Sequence, residues 1–455
     1  MKRIFFMVAC SIAANSAFAA DPKTEAYRNA AITAPATWKG PKFHLSHNYP
    51  QQKPTVCSIT ECPWLGIDLP MNPDFSTSGV PTWRKNSAYN QYIMSILDYV
   101  KKGQTLDLNN ANGLKTRVDG KDQWFHIPWM AFDQHAGREF VHGLTNERTA
   151  VISDFYGKKR QGLHALPNSK AGGQPGFETW AVGMYNTIGG YTIGQSWSKK
   201  GTPNIETING ITSTKGMPFL QGTVVVKFLF TTATPTDAPY LSNSPVWQAD
   251  RHVENKGAFL CERKVQEVRL VQVDVAVVDE RSPSRWVYGT FAFMNGAGKT
   301  VWDNLQPVGL QWGMDPWTFP AVPKAESISA RQSVLNESIS AREHFGCNGR
   351  LAGPVDNKLS SCMSCHGGAF ANTAGNTFAT GAYSPPIFAF PGMCEQYSAD
   401  NVNYFQTIQF PQGYSGGNYP DTMNLDTSLQ MQIALQKWSL FKSKGKAAAA
   451  CEVQQ

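Results

Sequence analysis

Charge is scarce in this chain. Of its 455 residues only 16% are Asp, Glu, Lys or Arg, against about a quarter in ordinary soluble domains. The surface must therefore rely on uncharged polar groups. The formal net charge of +7 is spread along the chain. No dense basic tract is interleaved with aromatics, which argues against nucleic-acid binding and leaves a mild preference for acidic partners. Long apolar runs are missing as well. Beyond the N-terminus no stretch approaches the ~18 apolar residues of a membrane span; the strongest, Val224 to Phe230, is short and interrupted by Lys227. Gly296-Ala297-Gly298-Lys299-Thr300 imitates the end of a phosphate-binding loop, but Phe293 stands where that loop needs its first glycine.

What is present points to a folded, turn-rich protein. Hydrophobic residues make up 42% and aromatics 12%, with 39 glycines and 28 prolines, enough for a sizeable core and against general disorder. The length suggests more than one folding unit. Lys2 and Arg3, the apolar stretch Ile4 to Ala14 and the small-x-small site Ala17-Phe18-Ala19 have the order of a secretory signal. Residues 1–19 are thus expected to be removed and the protein to be periplasmic. A rival reading is a lipoprotein anchored at Cys10, from Met7-Val8-Ala9-Cys10, but the apolar stretch before that cysteine is too short.

Texture changes along the chain. Residues 20 to about 80 are rich in Pro, Asn and Ser and read as an extended lead-in on the surface. Tyr89 to Lys101 reads as a helix. From about 120 to 320 the pattern is β: Val268 to Asp279 alternates and is rich in Val, and Ser284 to Met294 is similar. A β-rich region of sandwich or jelly-roll type is expected over residues 20–322. Near Pro323 the pattern shifts. Glu326-Ser327-Ile328-Ser329-Ala330-Arg331 recurs as Glu337-Ser338-Ile339-Ser340-Ala341-Arg342. That spacing is close to three helical turns, so one helix is expected here, and another over Asp426 to Leu440.

Nine cysteines occur. Cys10 lies in the signal, and six others (Cys57, Cys62, Cys261, Cys347, Cys394 and Cys451) suit disulfides in an oxidising compartment. Proximity suggests only Cys57 with Cys62. The remaining two stand in Cys362-Met363-Ser364-Cys365-His366. Two thiols at this spacing reach the two vinyl groups on one porphyrin edge, and the adjacent imidazole falls under the iron. A zinc half-site would need a second ligand pair at suitable spacing. A thioredoxin-like pair needs a βαβ setting and no histidine. The motif occurs once, so one covalent haem c is expected, held by Cys362 and Cys365, with His366 as proximal axial ligand.

Over about residues 324 to 445 the sequence resembles the c-type cytochrome family, in its order of helix, attachment turn, long loop and last helix. The resemblance implies an all-α cytochrome c-like domain at 323–455, after the α+β pattern of the whole, and electron transfer to a redox partner protein. The front region loosely resembles bacterial proteins that end in a single-haem domain, which supplies no activity. In class I members a methionine precedes the last helix. Met423 matches that place as possible distal ligand; Met393, Met431, a histidine or an open position are the alternatives. His135, Glu139 and His142 are the best group outside the motif, although ordinary polar side chains explain them more simply. The expected function is periplasmic electron transfer by one haem iron rather than enzymatic turnover. The alternatives are an oxidoreductase with a substrate site in the front region, and a haem sensor with an open coordination position.

Overall fold

A computed structural model describes residues 36–39, 43, 46–55, 57–71, 81–102, 117–118, 120–133, 137–138, 145–151, 170–171, 174–197, 201–203, 218–255, 258–315, 331–339, 346–357, 360–372, 394 and 422–452. Its centre is one ten-stranded antiparallel sheet. The strands are β1 (Trp124–Phe125), β2 (Thr145–Val151), β3 (Lys170–Ala171), β4 (Gln174–Asn186), β5 (Val224–Thr231), β6 (Val246–Asn255), β7 (Ala258–Val278), β8 (Trp286–Phe293), β9 (Leu305–Gln311) and β10 (Ser333–Leu335). The main path runs β10-β9-β8-β7-β5-β4-β1, with β6 on β7 and both β2 and β3 on β4. Phe132–Asp133 and Gly137–Arg138 form a separate two-stranded pair.

Alternation along the central strands gives each face its own character. One face carries Val273, Val275 and Val277 of β7, Val287, Phe291 and Phe293 of β8, and Val224, Val226 and Phe228 of β5, all buried in one apolar cluster. Helix α1 (Ala88–Lys101) covers it. Its apolar residues Tyr92, Ile93, Ile96, Leu97 and Val100 fall at three- and four-residue intervals and are fully buried. Ser87 caps the helix by accepting from the Asn90 amide. Gly289 of β8 lets α1 come close, because a Cβ there would lie 2.8 Å from Ile93 Cδ1. Phe43 and Trp64, from the stretch expected to lie on the surface, are also fully buried in this cluster.

The opposite face carries Gln272, Asp274, Ala276 and Val278 of β7 and Trp286, Tyr288 and Thr290 of β8. Against it lie α3 (Cys362–His366) and α4 (Leu429–Glu452); α2 (Thr187–Ser196) packs on β1 and β4. Met363, Leu425, Met431, Ala434, Leu435 and Trp438 are buried there with Tyr185, Trp286 and Tyr288.

Three expectations need correction. The C-terminal segment is not all-α. It gives β10 to the large sheet, and strand β11 (Phe370–Asn372) pairs with β12 (Thr422–Asn424). The helix expected over 326 to 342 is interrupted, because Ser333–Leu335 is a strand on β9 with Val334 opposite Leu310. Buried Val334 and Ser333 serve the sheet better than a helix, so a sequence-local period yields to tertiary pairing. The last helix begins at Leu429, not Asp426. Asp426 and Thr427 have φ of 49° and 64°, left-handed values that cannot start an α-helix. The β character of the front region stands, as antiparallel strands in one continuous sheet network.

Among the described residues, disulfides join Cys57 to Cys62, as proximity suggested, and Cys347 to Cys394. No helix among the described residues is long and apolar enough to cross a membrane. Residues 1–19, Met393, His135, Glu139 and His142 lie outside the described residues.

Candidate functional site

The Cys-x-x-Cys-His motif folds as the five-residue helix α3. Ser361 caps it, its hydroxyl accepting from the Ser364 amide at 3.2 Å. The Cys362 amide donates to Leu351 O at 2.9 Å and the Met363 amide to Gln311 Oε1 at 3.2 Å. The N-terminal end of the turn is thereby fixed, in part to Gln311 of β9. Helical spacing puts Cys362, Cys365 and His366 on one face. Neither Cys362 nor Cys365 is in a disulfide, whereas the neighbouring Cys394 is bonded to Cys347. Cys365 Sγ lies 3.0 Å from Ser360 Oγ.

The imidazole of His366 is oriented from the other side of the site. Its Nδ1 lies 2.9 Å from the carbonyl oxygen of Thr427, so Nδ1–H is the donor and Nε2 is the nitrogen that a metal would take. Thr427 holds this carbonyl out of a left-handed turn that a β-branched residue adopts only under constraint. The constraint is visible. Tyr288 donates to Thr427 Oγ1 at 2.6 Å. Asp426 accepts from Trp286 Nε1 at 3.0 Å, from the Phe219 amide at 2.8 Å and from Arg285 at 3.2 Å. Tyr185 and Ser428 share a 2.6 Å hydrogen bond. The Tyr288 ring lies 4.8 Å from that of His366. Burial pushes the Tyr288 and Tyr185 phenols up and raises the Asp426 carboxyl despite the Arg285 charge beside it.

Behind Cys362 a polar cluster crosses the sheet. Asp274 stands opposite Thr290 on β8 and Lys227 on β5. Thr290 donates to Asp274 Oδ1 at 2.8 Å. Gln272 Nε2 donates to Asp274 at 2.8 Å and to Asp356 Oδ2 at 3.0 Å, bringing the two carboxyl groups to one amide. Burial, with the Asp356 charge adding to it, lifts Asp274 to about 7. Burial pushes the Cys362 thiol well up, and Asp274 and Asp356 push it the same way. This position disfavours a thiolate.

These residues fit a covalently attached haem. The two cysteines are outside any disulfide and share one face, and the imidazole has a fixed tautomer. Among the described residues no three His, Cys, Asp or Glu converge on a bare metal ion. Met423 sits on β12 opposite Ala371 of β11, the strand that follows α3 almost at once. Its backbone is thus held beside the motif, on a strand rather than in a free loop. Met431 is fully buried in the core.

Sequence reasoning missed the residues that brace the motif. Asp426-Thr427-Ser428 reads as a helix start, and nothing in it announces two left-handed residues. Asp274 follows the alternation of a half-exposed strand, so its burial became visible only when the C-terminal segment was seen to cover that face.

No family model matches the chain, and neither a curated protein nor a solved structure matches it.

Proposed function

We propose that this chain is a periplasmic c-type cytochrome that carries one haem and passes single electrons to and from a redox partner protein. The observation that supports this most is the α3 helix. It presents two cysteines outside any disulfide and a histidine whose Nδ1 is engaged by Thr427 O. Cys362 and Cys365 would hold the porphyrin as thioethers, and His366 would bind the iron through Nε2. The haem, when bound, supplies Fe(II)/Fe(III) exchange.

The chain's own residues set the conditions for that exchange. The Thr427 carbonyl accepts the Nδ1–H, fixes the ring and makes Nε2 a stronger donor. Tyr288, through the Thr427 hydroxyl, and Asp426, through three donors, keep that carbonyl in place. Apolar burial around Met363, Leu425 and Leu435 keeps water from the attachment side. Met423 is our first choice for the distal position.

The test is direct. Denatured protein should keep its haem on a gel and give a c-type pyridine haemochrome. Haem that extracts into acid solvent would remove the proposal. Met423→Ala should abolish the weak far-red band of Met-ligated ferric haem, lower the potential and admit carbon monoxide. A variant spectrum identical to the parent's would pass the distal role to Met393 or Met431. Carbon monoxide binding by the parent protein itself would favour a sensor or catalytic role with an open position.

A further inference from the structure

His126 follows directly after β1 and is 5% exposed. Its backbone is tied down, the amide donating to Ser46 O at 3.0 Å and the carbonyl accepting from Tyr49 Oη at 2.7 Å. Its ring is not. Among the described residues neither Nδ1 nor Nε2 of His126 has a hydrogen-bond partner. A buried imidazole with both nitrogens unsatisfied is rare and needs a reason. Beside it stands the half-buried ring of His47, with centroids 5.8 Å apart and planes at 52°. Burial, together with the neighbouring His47, holds His126 well below the ordinary histidine range. Neutral imidazole is the form that ligates metals.

We propose that His126 and His47 form a two-imidazole site for a late first-row transition-metal ion, copper by preference. The separation suits it. A ring centroid lies about 3.2 Å from an ion bound at a nitrogen of that ring, given a metal–nitrogen distance of about 2.0–2.1 Å. Two rings 5.8 Å apart then subtend roughly 130° at a shared ion, between the tetrahedral and linear angles. Imidazole suits copper, zinc, iron and nickel, and affinity for divalent ions peaks at copper. A closed structural zinc site takes four protein ligands; this pair supplies two, leaving positions for water or a small exchangeable ligand. The rigid side is His126, held by the strand and by Tyr49. The accessible side is His47. This site is independent of the haem proposal and shares no residue with it.

The experiment uses full-length protein with Cys362 and Cys365 capped by haem, or alkylated if haem is absent, so that their thiols do not compete. Cu²⁺ is added with excess glycine as a weak competitor, and the protein is passed through gel filtration. The expected result is one copper per chain, with nitrogen superhyperfine splitting in its electron paramagnetic resonance spectrum. His126→Gln and His47→Gln should each weaken binding at least tenfold, with an unchanged far-ultraviolet circular dichroism spectrum. Should His126→Gln fail to fold, the half-buried His47→Gln carries the test. Copper below half an equivalent, or copper retained unchanged in the folded variants, would overturn the site; His126 would then be a buried ring satisfied by water.

Discussion

The two faces of the sheet are covered in different ways. Under α1 the contact is apolar on both sides: valines and phenylalanines meet Ile93, Ile96 and Leu97. Under the C-terminal segment the sheet offers Tyr185, Trp286, Tyr288, Thr290, Asp274 and Gln272. The segment answers with Asp426, Thr427, Ser428 and Asp356. Apolar contact is non-directional and tolerates small shifts. Hydrogen bonds fix direction, and an unmade one is costly. The face that fixes direction is the one that carries His366. Both faces supply stability, and the second also supplies position.

The sharpest way to break this comparison is to remove the sheet. The c-type cytochrome resemblance by itself implies that residues 325–455 mature alone. In the folded chain, however, Asp426 is anchored by Trp286, Arg285 and the Phe219 amide, and β10 belongs to the sheet. A fragment of 325–455 is therefore expected to lack a cooperative unfolding transition and to retain little haem. A fragment that melts cooperatively with a full complement of haem would show the polar seam to be dispensable.

Next come paired truncations, one on each face. Asp426→Ala leaves the Arg285 charge and two further donors without their acceptor, a loss of about 3–5 kcal/mol. Ile96→Ala opens a cavity worth about 2–5 kcal/mol. Thermal melting should show similar falls for both. The haem spectrum should separate them, changing with Asp426→Ala and staying constant with Ile96→Ala.

A pH titration sharpens the same contrast. Burial lifts Asp274 to about 7, above the ordinary carboxylate value of about 3.9. The folded chain therefore keeps a proton between these values that the unfolded chain has lost. This group's contribution is full below about pH 4 and is lost as the pH rises through about 7. Denaturant unfolding should show stability falling over that window, and Asp274→Asn should flatten the fall. An unchanged slope in the variant would assign the fall to other groups.

Much of the scaffold can be read from the sequence because local pattern and burial agree there. The valines of 268–279 and the apolar spacing from Tyr89 to Val100 each serve one apolar face, which is what periodicity records. The seam is not legible in that way. Its residues are polar, and a polar residue at alternating positions looks like a solvent face until the covering segment is known. Asp274 and Thr290 are of this kind. The Cys362 to His366 motif is legible as a pattern because its five residues are adjacent in sequence, and they fold as one short helix. Its support is not, because Thr427 and Tyr288 are brought to it only by tertiary pairing, and the 326–342 period proved weaker than the demand of β9 for a neighbour.

The smallest effect tests the seam at one atom. Tyr288→Phe removes only the hydroxyl that donates to Thr427 Oγ1. The ring, 4.8 Å from His366, remains. A single neutral hydrogen bond contributes about 0.5–1.5 kcal/mol, so the melting temperature should fall only slightly. The consequence for His366 should be larger in proportion. With its hydroxyl anchor gone, the left-handed Thr427 turn is less constrained, and its carbonyl wanders from Nδ1. A weaker hydrogen bond makes Nε2 a poorer donor, which disfavours Fe(III) and raises the reduction potential. The expected result is a small loss of stability with a clear positive shift in potential. A loss of stability without any shift would mean that Asp426 alone holds the carbonyl, and that the seam positions His366 through Trp286 rather than Tyr288.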